Sequence, residues 1–115
     1  MVDDAAFARR KLAGDLREAG HQVLEADNGL SAIQLYERER PAVVFLNVQV
    51  PLLDVVTTLR EMRRMDSEAK VVVVGGPAES ALLFATLKAG AVDFILKPLT
   101  KSRTLATVNK LAGRA

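Results

Sequence analysis

Short apolar runs alternate along this chain with stretches whose apolar residues recur at helical spacing. From Ala5 to Ala19, the residues Ala8, Leu12, Leu16 and Ala19 fall on one side of a helix. Gly20 is a natural stop in the left-handed position that follows a helix. His21 to Ala26 predicts a strand centred on Val23 and Leu24, and Asp27-Asn28-Gly29 a turn. Ser31 to Arg38 predicts a second helix with Ile33, Leu35 and Tyr36 apolar, closed by Pro41. Ala42 to Leu46 is continuously apolar, and Lys70 is followed by Val71 to Val74. Such Val-rich runs suit strands covered on both faces, as in parallel sheets. Helices are predicted from Asp54 to Met65 and from Ala78 to Ala89, the latter stopped by Gly90. Asp93 to Leu96 is a short strand, and Thr100 caps a last helix on which Leu105, Val108 and Leu111 repeat. Strands alternating with helices imply parallel βαβ units, so the fold class is α/β with helices on both faces of the sheet.

Composition narrows the function. The 115 residues suit one domain, taken as 1–115, and half of them are apolar, enough for a core at this size. No repeat, linker or low-complexity tract interrupts them. There is no cysteine, which removes disulfides, thiolate metal sites and cysteine nucleophiles. A single histidine, His21, argues against a histidine metal cluster or a Ser-His-Asp triad. It reads as an exposed residue opening a strand. The net charge of +2 is not the footprint of a nucleic-acid binder. Arg60, Arg63 and Arg64 cluster on one helix, where a solvated face explains them better than phosphate binding. Gly75-Gly76-Pro77 is not a phosphate loop, because no Gly-Lys-Ser/Thr follows. No apolar run reaches the roughly 20 residues of a membrane helix, and the amino terminus lacks a signal pattern. A cytoplasmic location is expected, with no membrane partner.

Four motifs, each weak alone, occur in order and on the right elements. They are Val2-Asp3-Asp4, the loop from Asn47 to Asp54 with Pro51 four residues after Asn47, Ala89 to Phe94, and Lys97-Pro98. Together they resemble the receiver domain of bacterial response regulators, in its chemotaxis-regulator form, over essentially the whole chain. The resemblance implies a flavodoxin-like doubly wound parallel sheet of strand order 2-1-3-4-5 and a role in two-component phosphorelay signalling. In that family an aspartate after the third strand accepts a phosphoryl group. Mg²⁺, held by an acidic pair and the acceptor, neutralises the phosphate oxygens. A lysine pairs with the phosphoryl group, a Ser or Thr hydroxyl senses it, and an aromatic residue follows the hydroxyl. These groups gather at the carboxyl ends of the strands.

This chain departs from that pattern at the positions that matter most. Asn47 stands at the phosphoacceptor position, and a carboxamide is a poor, uncharged nucleophile. Gly75 stands at the hydroxyl position, and Val55 where a glycine is usual. The acidic pair Asp3 and Asp4 and the phosphate-lysine equivalent Lys97 remain. They form either a residual cation site or an ion pair between Lys97 and one carboxylate, and the ion pair is the expected arrangement. Mg²⁺ is therefore expected to bind weakly if at all, with no metal site and no other cofactor. Phe94 holds the aromatic switch position, or is simply a half-buried strand aromatic.

Only Met1 and Val2 precede the acidic pair, so the first strand is expected to be largely missing. An upstream segment, direct pairing of the second strand with the third, or complementation by another chain would each close the gap. The helix from Ala78 to Ala89 is apolar nearly all round, which suggests a second buried face on Leu82, Leu83, Phe84 and Leu87. Leu52, Leu53, Val55 and Val56 add apolar residues near the altered site. The expectation is a non-enzymatic receiver-like module, independent of phosphorylation, that acts through protein association and forms a homo-oligomer. The alternatives are an ordinary phosphoacceptor regulator and, behind it, a nucleic-acid-binding regulator. The sequence names neither the cognate kinase nor the output protein.

Overall fold

The computed structural model describes residues 1–112. Helices α1 (Ala6–Glu18), α2 (Gly29–Glu39), α3 (Val55–Met65), α4 (Ser80–Lys88) and α5 (Lys101–Leu111) surround strands β1 (Val44–Asn47), β2 (Val71–Gly75) and β3 (Asp93–Leu96). The strands form one parallel sheet in the order β1-β2-β3, with Val44 opposite Val71 and Val72 opposite Asp93. Side chains alternate between the faces of a strand, so a valine run must be buried on both. Val71 and Val73 pack with Leu46, Leu59, Met62 and Leu83 beneath α2, α3 and α4. Val72 and Val74 pack with Leu16, Phe45, Ile95 and Val108 beneath α1 and α5. This is the expected α/β class with helices on both faces.

Local chemistry sets the helix ends. Asn28, Asp54 and Thr100 are extended residues whose side chains accept from the backbone N–H three residues on, satisfying donors that a helix start leaves free. Gly90 has φ +112°, a conformation that ends α4 and turns the chain into β3. Tyr36 on α2 is buried, and its hydroxyl donates to Asp66 Oδ2 at 2.8 Å, tying α2 to the end of α3. Burial and that carboxylate push the phenol up to about 12. Tyr36→Phe is expected to lower stability by about 1 kcal/mol, seen as a lower urea midpoint at constant slope. No loss on removing the hydroxyl would show that the bond contributes nothing.

Two expectations need correction, and one of the open alternatives falls. The buried stripe of α1 is Arg9, Ala13 and Leu16, while Ala8 and Ala19 are exposed. The stripe is rotated because Arg9 turns inward to a carboxylate. Residues His21 to Ala26 do not form a strand; only Ala26 pairs, with Val2. A ladder needs a neighbour along its length, and here the neighbour is Met1–Val2 alone. Nor does this segment pair directly with β1. Val2 lies between them, bridging Ala26 on one side and Leu46 on the other, both in parallel. Its N–H donates to Phe45 C=O at 2.8 Å, and its C=O accepts from Asn47 N–H at 3.0 Å.

Candidate functional site

Parallel strands aim their carboxyl ends at one edge of a sheet, and open α/β sheets place their sites there. Val2, β1 and β3 deliver Asp3, Asn47 and Lys97 to that edge. All three line one cavity of about 520 Å³, whose walls include Phe45, Val74 and Leu99. Asp4 is exposed and takes no part in the lining.

Asn47 is buried, and its side-chain oxygen accepts from Gln49 N–H at 3.1 Å. This bond to the backbone two residues on is a local turn of the kind Asn side chains make. The amide is thereby committed to its own loop. Asp3 behaves similarly: Oδ1 accepts from Ala5 N–H at 2.9 Å, while its C=O accepts from Arg9 Nη1 at 2.6 Å. Lys97 is exposed and makes no ion pair among the described residues. The expected pairing of Lys97 with Asp3 or Asp4 is therefore corrected. The Asp3 carboxylate is held by the Ala5 N–H, and a solvated ammonium gains little from a carboxylate that water reaches. The backbone of Lys97 is anchored by its N–H to Gly75 C=O at 2.9 Å, ahead of a cis bond to Pro98.

This donor set does not fit Mg²⁺ well. A hard divalent cation takes near-octahedral oxygen ligands and favours carboxylates. Here one carboxylate oxygen and the amide oxygen are already bonded to backbone, and the amide carries no charge.

Gly75 ends β2 in a tight enclosure. A Cβ built there would lie 2.9 Å from Val48 Cγ2, 3.2 Å from Glu79 Oε1 and 3.3 Å from Leu83 Cδ2. Glu79 is held in place by Gly76 N–H, which donates to Oε1 at 2.8 Å. A side chain at this position would have to displace Val48, Glu79 and Leu83, and a carboxylate already stands beside it. Phe94 lies half-buried on the α4 side of the sheet, edge-on to Phe84 at 5.7 Å between ring centres, and does not line the cavity.

The apolar residues expected on the surface of α4 separate into two groups. Leu83 is fully buried and so closed to a partner, while Leu87 is half-buried against the core. Leu82 and Phe84 are 38% and 58% exposed, and Leu96 at the end of β3 is 47% exposed. Leu52, in the loop after β1, is also exposed and holds φ +72°. That conformation costs a non-glycine residue about 1–2 kcal/mol.

Nothing in the local pattern of α1 announces the Arg9 clamp. Arg9 is buried and pairs with Glu25 at 3.2 Å; Arg17, one face along, pairs with the same carboxylate at 3.1 Å and donates to Val23 C=O. Burial raises the Glu25 pKa, but hydrogen bonds from Arg9 and Arg17 outweigh it and hold the carboxyl below its ordinary range. Through Glu25 and the Asp3 carbonyl, Arg9 fixes both residues 23–25 and the start of the acidic pair. Glu79 was also missed, although its place three residues after Gly76 at a helix start is a capping signal.

A family model described as response regulator receiver domain matches residues 1–109. The chemotaxis protein CheY of Thermotoga maritima is 34% identical over 113 residues, covering 97% of this chain and 94% of its own. The crystal structure of the receiver domain of NtrX from Brucella abortus superposes with a TM-score of 0.90 at 28% identity, over 99% of this chain and 97% of that one. The receiver domain of a Pseudomonas aeruginosa sensor histidine kinase, solved with a magnesium ion coordinated in its active site cleft, has a TM-score of 0.87 at 22% identity, over 97% and 93% of the two chains. Among the described residues no helix is long and apolar enough to cross a membrane. With the flavodoxin-like fold and a match across nearly its whole length, the chain belongs to the response regulator receiver domain family of two-component signalling.

Proposed function

We propose that this receiver signals without phosphorylation, as a protein-association module whose output is set by what it binds. The observation that carries the reading is Asn47: at the position where a carboxylate would attack a phosphoryl group stands a buried amide bonded to its own loop. Gly75 supports it, because it carries no hydroxyl to sense a phosphate and a side chain there would have to displace Val48, Glu79 and Leu83. Asp3, Asp4 and Lys97 are remnants of the site, and Mg²⁺ binds them weakly or not at all. The module works in the cytoplasm and catalyses no reaction of its own. Its partners are proteins: a kinase, an output protein or a second copy of the chain. Leu82, Phe84 and Leu96 offer the exposed apolar surface for a homo-oligomer.

Sedimentation velocity across a range of concentrations tests the association. The chain is expected to self-associate as concentration rises, equally with and without acetyl phosphate and Mg²⁺, and Phe84→Asp is expected to shift it to monomer. A monomer at high concentration, or association that requires the phosphodonor, would overturn the reading. An NMR titration with Mg²⁺ is expected to leave the Asp3, Asp4 and Asn47 amide signals unmoved at millimolar metal; saturable shifts there would establish a working cation site.

A further inference from the structure

The cavity that Asp3, Asn47 and Lys97 share has walls that phosphoryl chemistry does not call for. Ala8 and Leu12 of α1, Phe45 and Val74 of the sheet, and Leu99 ahead of α5 line it. The start of α1 brings only the small side chains of Ala5 and Ala8 to this wall, so the helix leaves the space above the sheet unfilled. About 520 Å³ remains. Pockets for small molecules run from about 300 to 1,000 Å³, mostly apolar with a few placed polar groups.

Three polar groups meet this space. Asn47 is 5% exposed and its oxygen accepts from Gln49 N–H, which leaves Nδ2 with no protein acceptor among the described residues. That nitrogen is not sealed in. Among those residues no buried side-chain nitrogen or oxygen lacks a partner, so Nδ2 is open to the cavity that Asn47 lines. A donor in a largely apolar pocket calls for an acceptor from outside the chain. Asp3 Oδ1 is taken up by Ala5 N–H, while Oδ2 accepts no hydrogen bond among the described residues. Lys97 carries its ammonium free of any ion pair among them. Helix α1 begins here without a side-chain cap and with no acidic residue in its first turn, so its positive end adds to the donors.

These groups narrow the occupant. A hard cation would meet the Lys97 ammonium, and a simple anion the Asp3 carboxylate. An aliphatic acid would cover the apolar walls and leave Asp3 unmatched. A free α-amino acid carries an ammonium and a carboxylate on one carbon, and its side chain leaves from the same atom. It matches a carboxylate, a cation, an amide donor and an apolar wall at once.

We propose that this cavity binds a free α-amino acid with an apolar side chain. The ligand ammonium pairs with Asp3 Oδ2, and its carboxylate accepts from Lys97 Nζ and Asn47 Nδ2. Its side chain fills the space among Ala8, Leu12, Phe45, Val74 and Leu99. The charged bonds set orientation, and burial of the side chain supplies affinity. The ligand thereby joins the start of α1 to the loop ahead of α5. The proposal rests on the reading that Asn47 takes no phosphoryl group, and it gives the module a small effector. It is separate from the Leu82–Phe84 surface.

The probe is L-leucine, added to the 115-residue chain. Calorimetry at neutral pH is expected to show saturable one-to-one binding with a Kd below about 1 mM. The amide signals of Ala8, Asn47 and Leu99 are expected to shift with it. L-leucinamide, which lacks the carboxylate, and isocaproate, which lacks the ammonium, are each expected to bind at least tenfold more weakly. Ala8→Met fills the cavity from an exposed helix position, and Lys97→Met alters an exposed side chain. Both are expected to lose at least tenfold in affinity with an unchanged circular dichroism spectrum. No saturation by the folded chain, equal affinity for leucinamide or isocaproate, or an affinity unmoved in Lys97→Met would overturn the proposal. So would shifts confined to other amides. Acetyl phosphate separates this proposal from the reading beneath it. A phosphoryl group on the wild-type chain would overturn the reading of Asn47, whereas a chain that stays unlabelled and binds no leucine overturns this proposal alone.

Discussion

Arg9→Ala is expected to destabilise the domain by about 3 kcal/mol, because it leaves a partly buried carboxylate with half its partners. The Arg9 side chain is only 10% exposed and that of Glu25 is 23% exposed, so solvent replaces the lost bond poorly. The variant also frees the Asp3 carbonyl, which accepts from the same guanidinium. Arg17→Ala is the informative control. Its side chain is 50% exposed, and the loss is expected to stay below about 1 kcal/mol. Urea denaturation of both variants reads the difference directly, as a shift of midpoint at constant slope. Acid adds a second signature. The folded pKa of Glu25 lies below its unfolded value, so this pair contributes fully above the unfolded pKa and its contribution is lost as pH falls through the folded one. The gap between wild type and Arg9→Ala should therefore narrow in that acid range. A gap that widens toward low pH would contradict the assignment.

Gly75→Thr is expected to cost about 2–3 kcal/mol, since it forces three atoms apart in a packed interior. The new Cβ alone would meet Val48 Cγ2 at 2.9 Å, and both Glu79 and Leu83 stand within 3.3 Å. Moving Glu79 would also break its bond to Gly76 N–H. Adding Val48→Ala should recover part of the loss, because it removes the closest contact. A Gly75→Thr chain as stable as wild type would show that the enclosure yields easily. The expected result means that a sensing hydroxyl cannot be restored here by one substitution.

The elements that were legible in the sequence are those whose information is local. Four consecutive valines between Lys70 and Gly75 can be accommodated only by burial on both faces, so β2 and the α/β class followed. The Thr100 cap lies within three residues of the donor it satisfies and set the start of α5; Asn28 and Asp54 cap in the same way but read only as a turn and a helix start. The candidate site was legible through the family resemblance of the motifs that hold Asp3, Asn47 and Lys97, and parallel strands bring such positions to one edge.

What was not legible depends on contacts distant in the chain. His21 to Ala26 has the composition of a strand, but a strand exists only beside another, and its neighbour here is two residues long. Helix α4 is apolar all round, so its pattern carries no phase, and only the fold shows Leu83 inside and Phe84 outside. Gly75 read as a missing hydroxyl; the structure adds that a side chain there would crowd Val48, Glu79 and Leu83. Arg9 broke the apolar stripe of α1 with no sign that Glu25, sixteen residues on, would meet it.

The central claim is that this receiver keeps the fold of its family and has given up the phosphoryl chemistry. Intact-protein mass spectrometry after incubation with acetyl phosphate and Mg²⁺ tests it most directly, with Asn47→Asp treated alongside. The account predicts an unchanged mass for the wild-type chain and, where the restored carboxylate reacts, one added phosphoryl group at position 47 of the variant. A phosphoryl group on the wild-type chain, at any residue, would contradict it.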